Sequence, residues 1–245
     1  MEAKIINSLK QYFEGVGPFS DLGVASVETD YSWEIPNKLF DGSTTNYQGS
    51  NFEANVALKQ DLSRRWANEP ENRKQITKWI ISNWGGINGN KDNTLKQYCI
   101  QAQEDSPATP LKGIASFSKV LGVKDPIKYA IYDARVAVSL NAVQLLAKEQ
   151  HGFAFPYLSG RNKYTGNWSP STPRGFSTMK NVSIRTLTSE PFGWTRVVRD
   201  EAYQTYLEVL RQISTELRTP IYKLEMALFS QAVELACKVF PELRD

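Results

Sequence analysis

Apolar positions along this chain recur mostly at helical spacing, and the intervals between them carry the residues that start and stop helices. Residues 3–14 place Ile5, Ile6, Leu9, Tyr12 and Phe13 on one side of a helix. A second periodic stretch, 53–67, turns Val56, Leu62 and Trp66 inward and Arg64 and Arg65 outward. A third, 70–83, opens on Pro70, carries Ile76, Trp79, Ile80 and Trp84 as a stripe, and stops at Gly85-Gly86. Further helices are predicted near 94–103, around Ile114, Phe117, Val120 and Leu121, and from Asp133 to about Gln150. Two more follow over about 199–217 and 220–239, the last presenting Ile221, Leu224, Leu228, Ala232 and Leu235. The one hint of a strand is Val24–Val27. No internal repeat, phosphate-binding loop or dinucleotide fingerprint interrupts the pattern, which predicts a mostly α protein.

Two stretches lose the periodicity. Residues 15–51 are rich in Gly, Pro, Ser, Thr and Asn, with Trp33, Phe40 and Tyr47 set among them. Residues 151–197 have the same polar character, with Phe155, Tyr157, Tyr164, Trp168, Phe176, Phe192 and Trp194 interleaved. Loops of that length in a compact domain are usually functional or disordered, and the aromatic content argues against disorder. Aromatic rings there either anchor the loops to the core or stack on bases. The same two readings hold for the Trp79 and Trp84 stripe. Asn88, Asn90 and Asn93 read as turn formers or as polar tips able to touch DNA.

At 245 residues and 41% apolar, the chain can bury a full core. The expected organisation is a single domain over 1–245, with one lobe from 1–52 and 151–245 and another from 53–150. Net charge is only +3, but its distribution is uneven. Between Gly152 and Arg199 stand Arg161, Lys163, Arg174, Lys180, Arg185, Arg196 and Arg199, opposed by Glu190 alone. That excess suits phosphates, or is simply a solvated loop. Cys99 and Cys237 lack metal-type spacing and read as buried free thiols of a reducing compartment. With no secretory apolar core and no run of membrane-spanning length, a cytoplasmic protein with no membrane partner is expected. His151 is the one histidine, which excludes histidine-rich metal sites and weighs against a Ser-His-Asp hydrolase. At a helix end it reads as a partner of the helix dipole or as an acid near a pocket.

Chemistry concentrates between residues 111 and 146. Lys119 lies on the short amphipathic helix. Asp125-Pro126 reads as a fresh helix start, and Tyr129-Ala130-Ile131-Tyr132 delivers Asp133 to the mouth of a longer helix bearing Val136, Leu140, Val143 and Ala147. A carboxylate there is held by free backbone N–H groups and aimed out of the helix end. Taken alone, Lys119 reads as a solvated lysine and Asp133 as an N-cap.

The words Ser118-Lys119-Val120-Leu121, then Asp125-Pro126, then Ile131-Tyr132-Asp133-Ala134-Arg135-Val136 together resemble the helix-hairpin-helix DNA glycosylases. They are most similar to the 8-oxoguanine-glycosylase-like bacterial branch. Glu225-Met226-Ala227-Leu228-Phe229 is similar to a motif of that family's closing helix. The likeness covers about a quarter of the chain. It implies a two-lobed helical bundle with long irregular loops, Lys119 as the amine that attacks the sugar, and Asp133 as the carboxylate beside it. The family's Gly-hydrophobe-Gly turn is here Gly113-Ile114-Ala115-Ser116-Phe117-Ser118, a degenerate helix-hairpin-helix.

The resemblance implies a DNA glycosylase that flips out a modified base and cleaves its bond to deoxyribose, with accompanying lyase activity if the amine attacks. The base is either an oxidised purine of the 8-oxoguanine type, a repair role, or a hypermodified phage base such as glucosylated hydroxymethylcytosine, a defence role. Trp79, Trp84, His151, Phe155 and Trp194 are candidates for the base pocket. Lys112, Ser116, Ser118, Arg135, Arg161 and Arg196 are candidates for the DNA backbone. No cofactor and no metal are called for; the expected partner is double-stranded DNA, met by a monomer. Competing readings are a non-catalytic DNA-binding module on the same scaffold and a helical protein-interaction domain.

Overall fold

The computed structural model describes residues 3–160 and 183–241. Helices dominate it. α1 (Ala3–Glu14), the single turn α2 (Val27–Asp30) and α3 (Asn51–Asn68) come first. α4 (Arg73–Trp79) runs directly into a π-helical turn, Ile80–Trp84, and α5 (Asp92–Gln101), α6 (Ile114–Lys124) and α7 (Ala134–Leu146) follow. The single turn α8 (Ile184–Leu187), α9 (Ala202–Leu217), α10 (Ile221–Ser230) and α11 (Ala232–Val239) complete the set. β1 (Phe153–Ala154) and β2 (Thr195–Arg196) pair in parallel. Among the described residues no helix is long and apolar enough to cross a membrane.

Local chemistry sets the helix ends. The Ser50 hydroxyl accepts from the Glu53 amide while Glu53 reaches back to the Ser50 amide, a reciprocal cap that opens α3. Gly113 sits at φ 84° immediately before α6. A side chain there would run into the Tyr98 hydroxyl, so glycine serves both the left-handed backbone and the close approach.

Several sequence expectations shift. Val24–Val27 forms no strand; Val27 opens α2. Asp125 starts no helix, and its carboxylate instead accepts from the Ile127 and Lys128 amides, closing a turn. The predicted helix over 220–239 breaks at Gln231. The Gln231 Oε1 accepts from the Tyr12 hydroxyl (2.7 Å) and the Gly23 amide (2.9 Å), and its Nε2 donates to Gly23 O, Ser26 Oγ and Asp30 Oδ2. One buried amide thus ties the helix junction to α1 and to the loop before α2.

α7 is the packing centre. Ten of its positions, from Ala134 to Gln144, are buried, and it lies against α1, α10 and α11, as an all-round apolar helix must. The helix that the sequence assigns with 53–150 therefore packs among the terminal segments, while α6 packs against α3. Its buried polar residues are all engaged. Asn141 and Gln144 exchange hydrogen bonds with the backbone of Phe155 and Phe153, at 2.7–2.9 Å, so two side chains on one helix face act as the edge that holds β1. Ser139 donates to Leu228 O on α10.

Candidate functional site

Asp133 is the N-cap of α7. Its Oδ1 accepts from the amides of Arg135 (3.0 Å) and Val136 (3.2 Å), which leaves Oδ2 facing Lys119, whose Nζ lies 3.7 Å away. Lys119 stands in the middle of α6 and is 7% exposed. Its ammonium donates to Ala115 O, one turn back, at 3.1 Å. The lysine stem passes over Gly85, where an added Cβ would fall 2.8 Å from Lys119 Cδ.

The segment that delivers Asp133 is fastened at each residue before it. Tyr203 donates to Ala130 O and Tyr206 to Ile131 O, at 2.8 and 3.1 Å, both from α9. Burial pushes both phenols well above their ordinary pKa, which keeps them donors. Ser118 takes the Tyr132 amide at 3.0 Å, and the Tyr132 hydroxyl donates to Pro156 O. Three elements therefore fix a short extended stretch whose only regular feature is its end at the α7 cap.

Lys119 and Asp133 line an open cleft of about 860 Å³. The Gly85–Gly89 loop, Leu111–Ser116, Ala134-Arg135, Leu158–Gly160, Trp33 and Phe229 supply the remaining wall. Trp33 and Phe229 meet edge to face with centroids 5.5 Å apart, and the Arg135 guanidinium lies over the Phe229 ring at 4.6 Å. Below the pair the cleft narrows to a recess of about 40 Å³, shared by Tyr31, Trp84, Ile131 and Glu225. Glu225 is 2% exposed and accepts from Lys59 at 2.6 Å. Burial raises the Glu225 pKa above the usual carboxylate value, opposed by the neighbouring Lys59 ammonium. Lys119, Asp133 and Glu225 thus border one partly apolar hollow, with Lys59 paired to Glu225 behind it.

The other sequence candidates divide. Ser116 and Arg135 line the cleft, Ser116 accepting from Asn90 at 3.0 Å. Lys112 is exposed beside it, between the lining residues Leu111 and Gly113. Trp84 reaches the recess, and its indole donates to Asn55. Ser118 is fully buried and spent on Tyr132, so it does not face a ligand. Trp79 is buried with its indole on Lys38 O, and Phe155 lies inside the main core. Trp194 is buried with its indole on Glu149 O. His151 is exposed in the turn after α7. None of these four lines the cleft. Arg196 is exposed on β2, also outside the lining. Arg161, with Lys163, Arg174, Lys180, Tyr164, Trp168 and Phe176, lies outside the described residues.

Gly85 and Lys59 carry no sequence expectation for the site; Glu225 and Phe229 enter there only through the closing-helix resemblance, and Trp33 only as a loop aromatic that either anchors to the core or stacks on bases. A signal for two of them exists: Glu225 interrupts the apolar face of Leu224 and Leu228, and Lys59 sits beside Leu58 in an otherwise buried stripe. A charge on a core-facing position needs a partner, and here each is the other's.

The fold and the cleft define a helical protein with a buried lysine–carboxylate pair at a helix N-terminus. No family model matches the chain, and the comparisons with curated proteins and with solved structures return no match.

Proposed function

We propose that the chain is a DNA glycosylase in which a flipped-out modified nucleotide enters the cleft with its sugar beside Lys119 and Asp133. The observation that carries this reading is the 3.7 Å approach of Lys119 Nζ to the Asp133 oxygen left free by the helix cap. Departure of a base builds positive charge on the sugar, and a fixed carboxylate beside C1′ stabilises it without reorganising. The Lys119 ammonium passes a proton to the base, which leaves with the glycosidic electron pair, and the resulting neutral amine forms the Nζ–C1′ bond. Opening of the sugar ring then gives a Schiff base, and loss of a C2′ proton expels the 3′ phosphate.

The cleft supports the binding half of this reading. Its volume falls within the roughly 300–1,000 Å³ of small-molecule sites, and Trp33 and Phe229 offer ring faces or edges to a base. The Arg135 guanidinium lies over a ring and pairs with no carboxylate among the described residues, which suits it to a phosphate. The substrate proposed is an oxidised purine or a base enlarged by a sugar.

Borohydride trapping tests the proposal, on duplexes carrying 8-oxoguanine or an abasic site, on unmodified DNA and on glucosylated phage DNA, with base release followed in parallel. The expected result is an adduct and base release on one modified DNA, with Lys119→Gln abolishing the adduct. Asp133→Asn keeps an efficient helix cap, so its expected loss of base release, about 100-fold or more, separates chemistry from folding. Base release without an adduct demotes the amine and keeps Asp133. Binding with neither signal assigns the chain as a DNA-binding module.

A further inference from the structure

The lysine of the proposed site is not held by α6 alone. α4 does not continue as an α-helix but widens into the π-helical turn Ile80–Trp84, and the Gly85 amide closes it by donating to Ile80 O at 2.8 Å. Such single-turn insertions displace the residue that follows them and cluster at functional sites. Here the displaced residue is Gly85. It lies in the right-handed helical region, φ −79° and ψ −11°, so no left-handed backbone demands glycine. What demands it is space: an added Cβ would stand 2.8 Å from Lys119 Cδ and 2.9 Å from Ile80 O and Ile81 O. Gly89 offers the contrast. It lines the same cleft on the same loop, and a Cβ there meets nothing within 4 Å.

We infer that the Ile80–Trp84 π-turn and Gly85 form a rest for the Lys119 stem, a positioning element that sets how far the amine reaches toward Asp133. It rests on the amine role proposed above. The stem is gripped from two directions. Ala115 O holds Nζ from α6 itself, and Gly85 bounds Cδ from across the cleft. A methyl at residue 85 pushes the stem off this rest and breaks the 3.7 Å approach, and displacement of a reacting atom by about 1 Å costs roughly 100-fold in rate. Tyr31, Trp33 and Trp84 close the remaining side of the recess, so the displaced stem has no second productive seat.

The test pairs trapping with a double-mutant cycle. On abasic duplex, Gly85→Ala is expected to lower the rate of borohydride-trapped adduct by about 100-fold while the dissociation constant for that DNA stays within about threefold, and Gly89→Ala, whose methyl does not meet the lysine stem, is expected to lower that rate far less. Equal effects of the two substitutions, or full adduct formation by Gly85→Ala, overturn the inference. Thermal unfolding of wild type, Gly85→Ala, Lys119→Ala and the double variant reads the contact itself, without any reaction. Lys119→Ala removes the atom that the new methyl meets, so the double variant is expected to recover stability lost by Gly85→Ala, or to fold where Gly85→Ala does not. Additive losses place the clash on the Ile80 and Ile81 carbonyls alone and overturn the inference. Should the wild-type chain give no adduct on any DNA, the glycosylase reading falls and the cycle still decides the rest.

Discussion

Glu225 is a carboxylate almost wholly removed from water. Its fold pKa is raised by burial, so the folded chain holds this proton to higher pH than the unfolded chain does. The stability it contributes is complete below the ordinary glutamate value of about 4.3 and is lost as pH rises through the raised value. The melting-temperature difference between wild type and Glu225→Gln should therefore move against the wild type as pH climbs out of the carboxylate range. A curve parallel to that of Glu225→Gln would remove Glu225 from this account. Removing its partner is the harsher change. Lys59 and Glu225 are each 3% exposed in their side chains, and breaking such a pair costs about 3–5 kcal/mol because one charge stays buried alone. Lys59→Met should show that loss by chemical denaturation, and adding Glu225→Leu should recover most of it.

At the scale of elements, the helices were legible because their signals are local. Asp133 before Ala134 and the apolar spacing of α1 and α3 are read from neighbours a turn apart, whereas the Ser50–Glu53 cap of α3 emerges only in the structure. Lys119 and Asp133 were singled out by the words around them, and the same helix-end logic told where Asp133 would point. What a sequence does not show is which side of a ring faces the cleft. Its place in an aromatic-rich loop makes Phe155 a base-pocket candidate in the sequence, yet Asn141 and Gln144 pin that stretch to α7 and turn the ring into the core. Trp33 lies in the other such loop and does reach the cleft. The difference is a set of hydrogen bonds between residues far apart in the chain, and no periodicity reports it. The break between α10 and α11 has the same origin. Gln231 reads as an ordinary helical residue, but its amide serves Tyr12, Gly23, Ser26 and Asp30. Gln231→Leu should leave several buried groups unpaired, at about 1–3 kcal/mol each. A loss below 1 kcal/mol in a denaturant titration would show that water replaces the amide there.

The molecule as a whole carries little net charge, and most of its described helices share one core from Ile5 to Cys237, with Ala154, Leu187 and Trp194 forming a second small cluster. A DNA partner must then be engaged by a local face rather than by general attraction. The expected signature is a logarithmic dependence of duplex affinity on salt with a slope of about −3.6 to −4.5, matching roughly four or five neutralised phosphates. A slope near zero would instead favour a protein-interaction domain. Arg135→Ala should make the slope shallower by about one, measured by fluorescence anisotropy across a salt series.

Trp33 gives the cleft an optical property. Of the six tryptophans in the chain, Trp66, Trp79, Trp84 and Trp194 are buried, at 3–4% exposure, and Trp168 lies outside the described residues. Trp33 is half-buried, its indole N–H anchored on Trp84 O and its ring on the cleft wall. Its emission belongs at the red edge of the protein's spectrum, where water reaches the ring. A nucleobase or other π-system seated against it quenches that component and leaves the blue-emitting core indoles unchanged. Selective red-edge quenching, lost in Trp33→Phe, would let occupancy of the cleft be titrated with no label on either partner and no turnover.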